Sequence, residues 1–216
     1  MSKKEFTKRF ILFTIGLFFS GLGIAFSKQA DLGISTVSSV PNVLSVKYDF
    51  ISFGMWSFIN NCVLVFGQIL VLRKNFKPFQ LLQIPMSFVF GIFADIGLFL
   101  VSFIPVPNYF VRIILVLIGI MILSFGIALA VIANMLYNSG EGFVKAVSDA
   151  GNFNFGRVKV IFDICCVSIA AILSLILMNK IVGIREGTLM AAVMTGFIVN
   201  FFTKHFEKPI NKALTR

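Results

Sequence analysis

Three acidic side chains stand where acids are expensive. Asp95 lies within the apolar run 81–104, Asp163 one or two turns into the run 158–178, and Glu141 between Gly140 and Gly142 in a small-residue segment. An ionisable group inside a membrane span costs about 2.5–3.5 kcal/mol even on the gentler insertion scales, so each needs a partner or a task. Carboxylates at such depth hold a cation or carry a proton. With no buried basic partner evident in the sequence, they point to a cationic or zwitterionic solute or to proton coupling. Plainer roles are open too: Asp95 protonated or bonded to an amide, Asp163 paired with Lys159 one helical turn earlier, Glu141 stabilising a helix N-terminus. The amides Asn61 and Asn200 also lie inside apolar runs and cost free energy unless hydrogen-bonded.

The elements that must position these groups are membrane spans. The 216 residues are 58% hydrophobic and 13% charged, against roughly 25% charged in soluble domains, which excludes a soluble globular enzyme. A span needs about 20 residues. Six apolar runs are long enough, at 10–26, 50–72, 81–104, 110–136, 158–178 and 188–202. The expected fold is therefore all-α, a polytopic membrane helix bundle of six transmembrane helices. The net charge of +10 reads as lipid-facing and loop charge rather than a nucleic-acid surface. Fourteen Lys and Arg fall on the N-terminal side of the membrane and five on the other, which predicts both termini in the cytoplasm.

The chain also repeats itself. Gly23-Ile24-Ala25 recurs as Gly126-Ile127-Ala128, 103 residues on. Gly54 with Asn61 recurs as Gly156 with Asp163, and Gly91 with Asp95 as Gly196 with Asn200, at offsets of 102 and 105. The halves 1–109 and 110–216 thus share one plan of span, irregular segment, span, span. Three spans per copy force the second copy to enter from the opposite face, an inverted repeat of the kind many secondary transporters use.

The irregular segments, 27–49 and 137–157, hold Gly33, Ser35 and Thr36 in one copy and Gly140, Glu141 and Gly142 in the other. Each reads as a glycine turn entering a short helix, about 34–45 and 143–150, with Ser35 and Thr36 capping the first and Ser139 the second; each is either a re-entrant or broken helix with its N-terminus facing a shared polar cavity, or an ordinary extramembrane loop. Candidate solute-binding residues are Glu141, Asp95, Asp163, Asn61, Asn200, Ser35, Thr36, Gly33, Gly140 and Gly142.

No catalytic or metal-ligand spacing is present. Cys62, Cys165 and Cys166 sit in apolar runs as small hydrophobes, and His205 is the only histidine, so no enzyme activity, metal or cofactor is expected. The stretches Gly21-Leu22-Gly23-Ile24-Ala25, Gln29-Ala30-Asp31-Leu32-Gly33, Gly140-Glu141-Gly142, Phe155-Gly156 with Asp163, and Gly187-Thr188 resemble the YczE/YyaS/YitT group of bacterial membrane proteins, particularly its YczE-like branch. Many relatives carry Pro-Trp-Asp soon after the Leu-Gly, where this chain has Thr36-Val37-Ser38. The resemblance implies a multi-pass protein of the bacterial inner membrane with a transporter-like architecture, and no particular substrate.

The expected function is a small secondary transporter or permease acting on a small polar, cationic or zwitterionic solute. The alternative is a membrane accessory or sensor protein that binds a partner through its helices. Expected partners are membrane lipids and a small-molecule solute, with no nucleic acid, and a homodimer is compatible with so small a bundle.

Overall fold

The computed structural model describes residues 3–215. Eight helices follow in order: α1 (Lys3–Ala30), α2 (Ser39–Lys47), α3 (Phe53–Leu72), α4 (Gln83–Val101), α5 (Tyr109–Ala133), α6 (Ser139–Gly151), α7 (Phe155–Met178) and α8 (Glu186–Thr215). A 3₁₀ turn at Thr36–Ser38 leads into α2. The described residues contain no strand. Six helices (α1, α3, α4, α5, α7 and α8) are long and apolar enough to cross a bilayer, which marks the chain as a multi-pass membrane protein. Large apolar side chains such as Phe66, Phe99, Ile176 and Phe197 project outward from them, as lipid requires.

The core is the antiparallel pair α1 and α5, the most extensively packed of all helix pairs. Hydrocarbon supplies little hydrophobic drive for helices to associate, so close backbone approach through small residues must supply it. A Cβ built on Gly16 would lie 2.7 Å from the Gly126 carbonyl oxygen, and one on Gly126 2.5 Å from that of Gly16. Seven residues away, a Cβ on Gly23 would lie 2.6 Å from the Gly119 oxygen, and one on Gly119 2.7 Å from that of Gly23. The two contacts interconvert when 103 is added to the α1 member and subtracted from the α5 member.

The ends of this pair are clamped the same way. Arg9, on α1, donates to the carbonyl oxygens of Ile132 and Ala133 at the end of α5, at 3.5 and 3.1 Å. Arg112, 103 residues later on α5, donates to the Ala30 carbonyl oxygen at the end of α1 and to the Asp31 carboxylate, both at 3.1 Å. Each cation meets one or two of the carbonyls left unpaired at the negative dipole end of the opposing helix.

Around this pair the remaining helices alternate. α4 packs on α1 and α8 on α5, while the short helices cross over, α2 resting on α3 and α7, and α6 on α7 and α3. One pairing lacks its counterpart: α3 packs closely on α4, whereas α7 and α8 share no comparable packing. The boundary drawn at 109/110 falls at the first residue of α5. The two halves nevertheless form one body, because the main contact of α1 lies in the other half.

Two local expectations are corrected. α6 begins at Ser139 rather than near Phe143, so Gly140 and Gly142 are helical rather than the turn itself. The left-handed residue at this point is Asn134 (φ 48°), which ends α5. Ser35 and Ser139 do not cap helices with their side chains either: the Ser35 hydroxyl donates to Ser38 Oγ, and that of Ser139 meets Ser87 Oγ.

Candidate functional site

The chain leaves α1 through a turn that needs two left-handed residues, Asp31 (φ 54°) and Gly33 (φ 102°). At Gly33 a side chain would be strained and would also collide with Thr188. The turn is clasped to the start of α8, where Gly187 N–H donates to the Leu32 carbonyl oxygen at 2.8 Å and Arg185 donates to that of Asp31 at 3.3 Å. Two of the sequence stretches singled out above, Ala30-Asp31-Leu32-Gly33 and Gly187-Thr188, therefore form a single contact. Arg185 also makes a local pair with Glu186, at 3.3 Å between half-exposed groups.

From this turn the chain reaches α7. The buried Thr36 hydroxyl donates to Asp163 Oδ1 at 2.7 Å, and Lys159 Nζ donates to the same oxygen at 2.6 Å. Asp163 lies eight residues into α7, about 12 Å along its axis, so the entry to α2 penetrates well below the helix end. Ser38 and Ser39 are buried beside it. The expectation that the acids lack a basic partner does not hold for Asp163: Lys159 neutralises it from one turn below.

The second short helix meets the opposite pair. Gln68 on α3 and Gln83 on α4 are buried and exchange amide hydrogen bonds at 3.0 and 3.1 Å. Gln68 also donates to the Ser139 carbonyl oxygen at 3.2 Å, and a Cβ at Gly142 would press on its amide at 3.0 Å. The reason for Gly142 is close approach to that amide. The reason for Gly140 is similar, since a Cβ there would meet the two Val37 methyls at 3.3 and 3.4 Å. Val37 and Gly140, again 103 apart, bring the 3₁₀ turn before α2 and the first turn of α6 together.

Glu141 stands next to this contact, half-buried in the first turn of α6, where the helix dipole favours its charge. Among the described residues it has no hydrogen-bond or ion-pair partner. Asp95 is differently placed: its Oδ1 accepts from the Gly54 N–H at 2.7 Å, tying α4 to the start of α3. Nearby, Lys28 lies 4.8 Å over the Phe53 ring and donates to Asn42 and Ser45, within the field of Asp95. Asn61 is half-buried on α3, and Asn200 is exposed on α8.

The structure thus brings together Ser35, Thr36 and Asp163, and next to them Gly140, Glu141 and Gly142, while Asp95 and Asn200 stand apart. Lys28, Val37, Gln68 and Gln83 escaped sequence reasoning. A buried glutamine pair has no local signature, but the 103-residue offset pairs Val37 with Gly140 and Arg9 with Arg112 directly.

Two cavities open at the end of the bundle that holds Arg9 and Asn211. One, of about 440 Å³, lies between α1, α5 and α8 and includes Arg9, Asn134 and Thr203. The larger, of about 880 Å³, lies among the α3–α4 connection and α6, with Arg73, Lys74, Lys77 and Lys145 on its wall. Lys145 is paired with Asp149 one turn on, and that hydrogen bond raises the ammonium pKa above the usual lysine value. No group of His, Cys, Asp and Glu among the described residues is arranged to hold a metal ion.

A family model described as a family of unknown function, DUF6198, matches residues 7–204. The chain belongs to this family. The match runs from the first span through α8, so it includes both short helices and every residue of the candidate site. No curated protein and no solved structure matches the chain.

Proposed function

We propose that this DUF6198 member is a small secondary transporter, built from two inverted three-span repeats, whose solute binds where the 3₁₀ turn leading into α2 meets the first turn of α6. The single observation that carries the reading is the Val37–Gly140 contact between those turns, with the Thr36–Asp163 pair and the unpartnered Glu141 beside it. The repeat is supported by reciprocity: the glycine contacts and arginine clamps of α1 and α5 recur at one offset of 103. In this reading α2 and α6 are re-entrant, dipping from opposite faces so that their free N–H groups and the polar side chains of Ser35, Thr36 and Ser139 line a midplane pocket. The likeness to the YczE-like proteins is in keeping with it, as is a bacterial inner membrane with both termini in the cytoplasm.

Because Lys159 already neutralises Asp163 and Asp95 stands apart, Glu141 is the carboxylate left at this contact to offer a net charge. A solute with a cationic group, an amine or a zwitterion, answers it. The test is uptake into proteoliposomes under proton and sodium gradients, screening amines and amino acids first by thermal shift, since a ligand raises the stability of the state it binds. Glu141→Gln is expected to abolish uptake and the ligand-induced shift while leaving the unliganded melting temperature unchanged. Absence of flux for every solute, together with a Glu141→Gln variant that keeps its cellular phenotype, would sink the transporter in favour of a membrane accessory protein.

A further inference from the structure

Rather than an ornament of one half, the contact between α3 and α4 is a device whose second copy stands open. A Cβ at Gly91 would lie 2.5 Å from the Gly54 carbonyl oxygen, one at Gly54 would collide with the Gly91 carbonyl oxygen, and Asp95 accepts from the Gly54 N–H at 2.7 Å. The second half carries the same parts: Gly156 near the start of α7, Gly196 a third of the way along α8, and Asn200 four residues after Gly196, as Asp95 follows Gly91. None is engaged. A Cβ on Gly196 would meet nothing within 4 Å, one on Gly156 would meet only the neighbouring Asn154 side chain, and Asn200 is exposed. The Gly156 N–H is held by Asn154 Oδ1 at 3.0 Å, a local bond within one turn that an incoming acceptor can replace.

We infer that the protein has a second conformation in which α8 closes on α7 through Gly196 and Gly156, with the Asn200 amide oxygen accepting from Gly156 N–H, while α4 parts from α3. This rests on the transporter reading and gives it a moving part. Two observations point the same way. The pairings of α1 with α4 and α5 with α8, and of each short helix with the spans, are matched between halves, so the α3–α4 contact is the one extensive packing left without an equivalent. The residues needed to make the missing contact are present at the matching places. Asn offers a neutral acceptor where Asp95 offers a charged one, and a charge-assisted bond is the stronger. That difference favours the state described here, with α3–α4 closed.

The experiment measures the distance between α7 and α8 by pulsed electron resonance, on full-length protein in lipid nanodiscs. Spin labels go at Val160 and Val193, both exposed, after Cys62, Cys165 and Cys166 are replaced by Ala. The expected result is two distance populations, the shorter one in the minority. Gly196→Leu, which fits the open state without a clash, is expected to remove the shorter population and leave the melting temperature within a degree or two. Asn200→Asp is expected to enlarge it at least threefold at pH 8. A single long distance in all three proteins overturns the inference. Uptake that requires Glu141 with no change in the α7–α8 distance overturns the inference and leaves the transporter reading intact. Two populations governed by Gly196 without flux of any solute keep the conformational change and overturn transport.

Discussion

The helix pair α3–α4 and the helix pair α7–α8 are built from corresponding residues and end up in opposite conditions. In the first, Gly54 and Gly91 bring backbones into contact and Asp95 ties them; in the second, Gly156, Gly196 and Asn200 face open space. The difference teaches that a repeated motif does not fix a repeated contact. In hydrocarbon, closing two helices gains only packing and the occasional hydrogen bond, about 0.6 kcal/mol for a typical interhelical one. Such a pair sits near balance, and a modest bias such as carboxylate against amide decides it.

The largest effect should come from the axis that the two halves share. Gly23→Val and Gly126→Val each drive a branched side chain into the opposing backbone, and each is expected to cost on the order of 3 kcal/mol or more. Thermal unfolding in detergent should show nearly equal losses for the two; a large loss for one alone would break the equivalence of the halves. Next comes the contrast itself. Gly91→Ala is expected to lower stability by about 1–3 kcal/mol, because its methyl meets the Gly54 carbonyl. Gly196→Ala should stay within about 0.5 kcal/mol of the parent. Equal penalties would mean that α8 is packed in the membrane after all.

The arginine clamps give a smaller and symmetric effect. Arg9→Gln and Arg112→Gln should each cost about 1–2 kcal/mol, from the helix-end charge and its hydrogen bonds. Smallest is the pH response of α6. The Lys145 pKa is raised by Asp149, so the pair's contribution is complete below the ordinary lysine value of 10.5 and is lost as pH climbs through the higher folded value. Melting curves at pH 9 and pH 11 should differ slightly more for the parent than for Lys145→Met.

Much of the architecture is legible in the residues, for physical reasons. Apolar runs of span length leave the chain little choice but helices, and the offset of 103 recurs because both copies must present the same small residues to each other. Asp163 is marked by its cost at depth and Thr36 by its place in the first irregular segment, and they meet. Other parts were hidden. Gly140 and Gly142 look like a turn, yet they serve close approach within a helix, since the turn is made by Asn134 and the residues after it. The Gln68–Gln83 pair is invisible because two amides fifteen residues apart carry no periodic signal until α3 and α4 are placed side by side. Asn200 shows the converse. Its spacing copies Asp95 faithfully, but spacing records where a residue can bond, and the α7–α8 pair is open.

The reciprocal arginine clamps bear on how the protein is made. Ribosomes deliver α1 first, with its small-residue face and its terminal carbonyls uncovered, and the Arg112 that caps them follows 82 residues after Ala30. Until α5 enters the bilayer, the first helix has α4 beside it but lacks its main partner. A gene cut at the loop before α5 would yield two fragments that are each unfinished, and only their synthesis in the same cell would restore a whole protein.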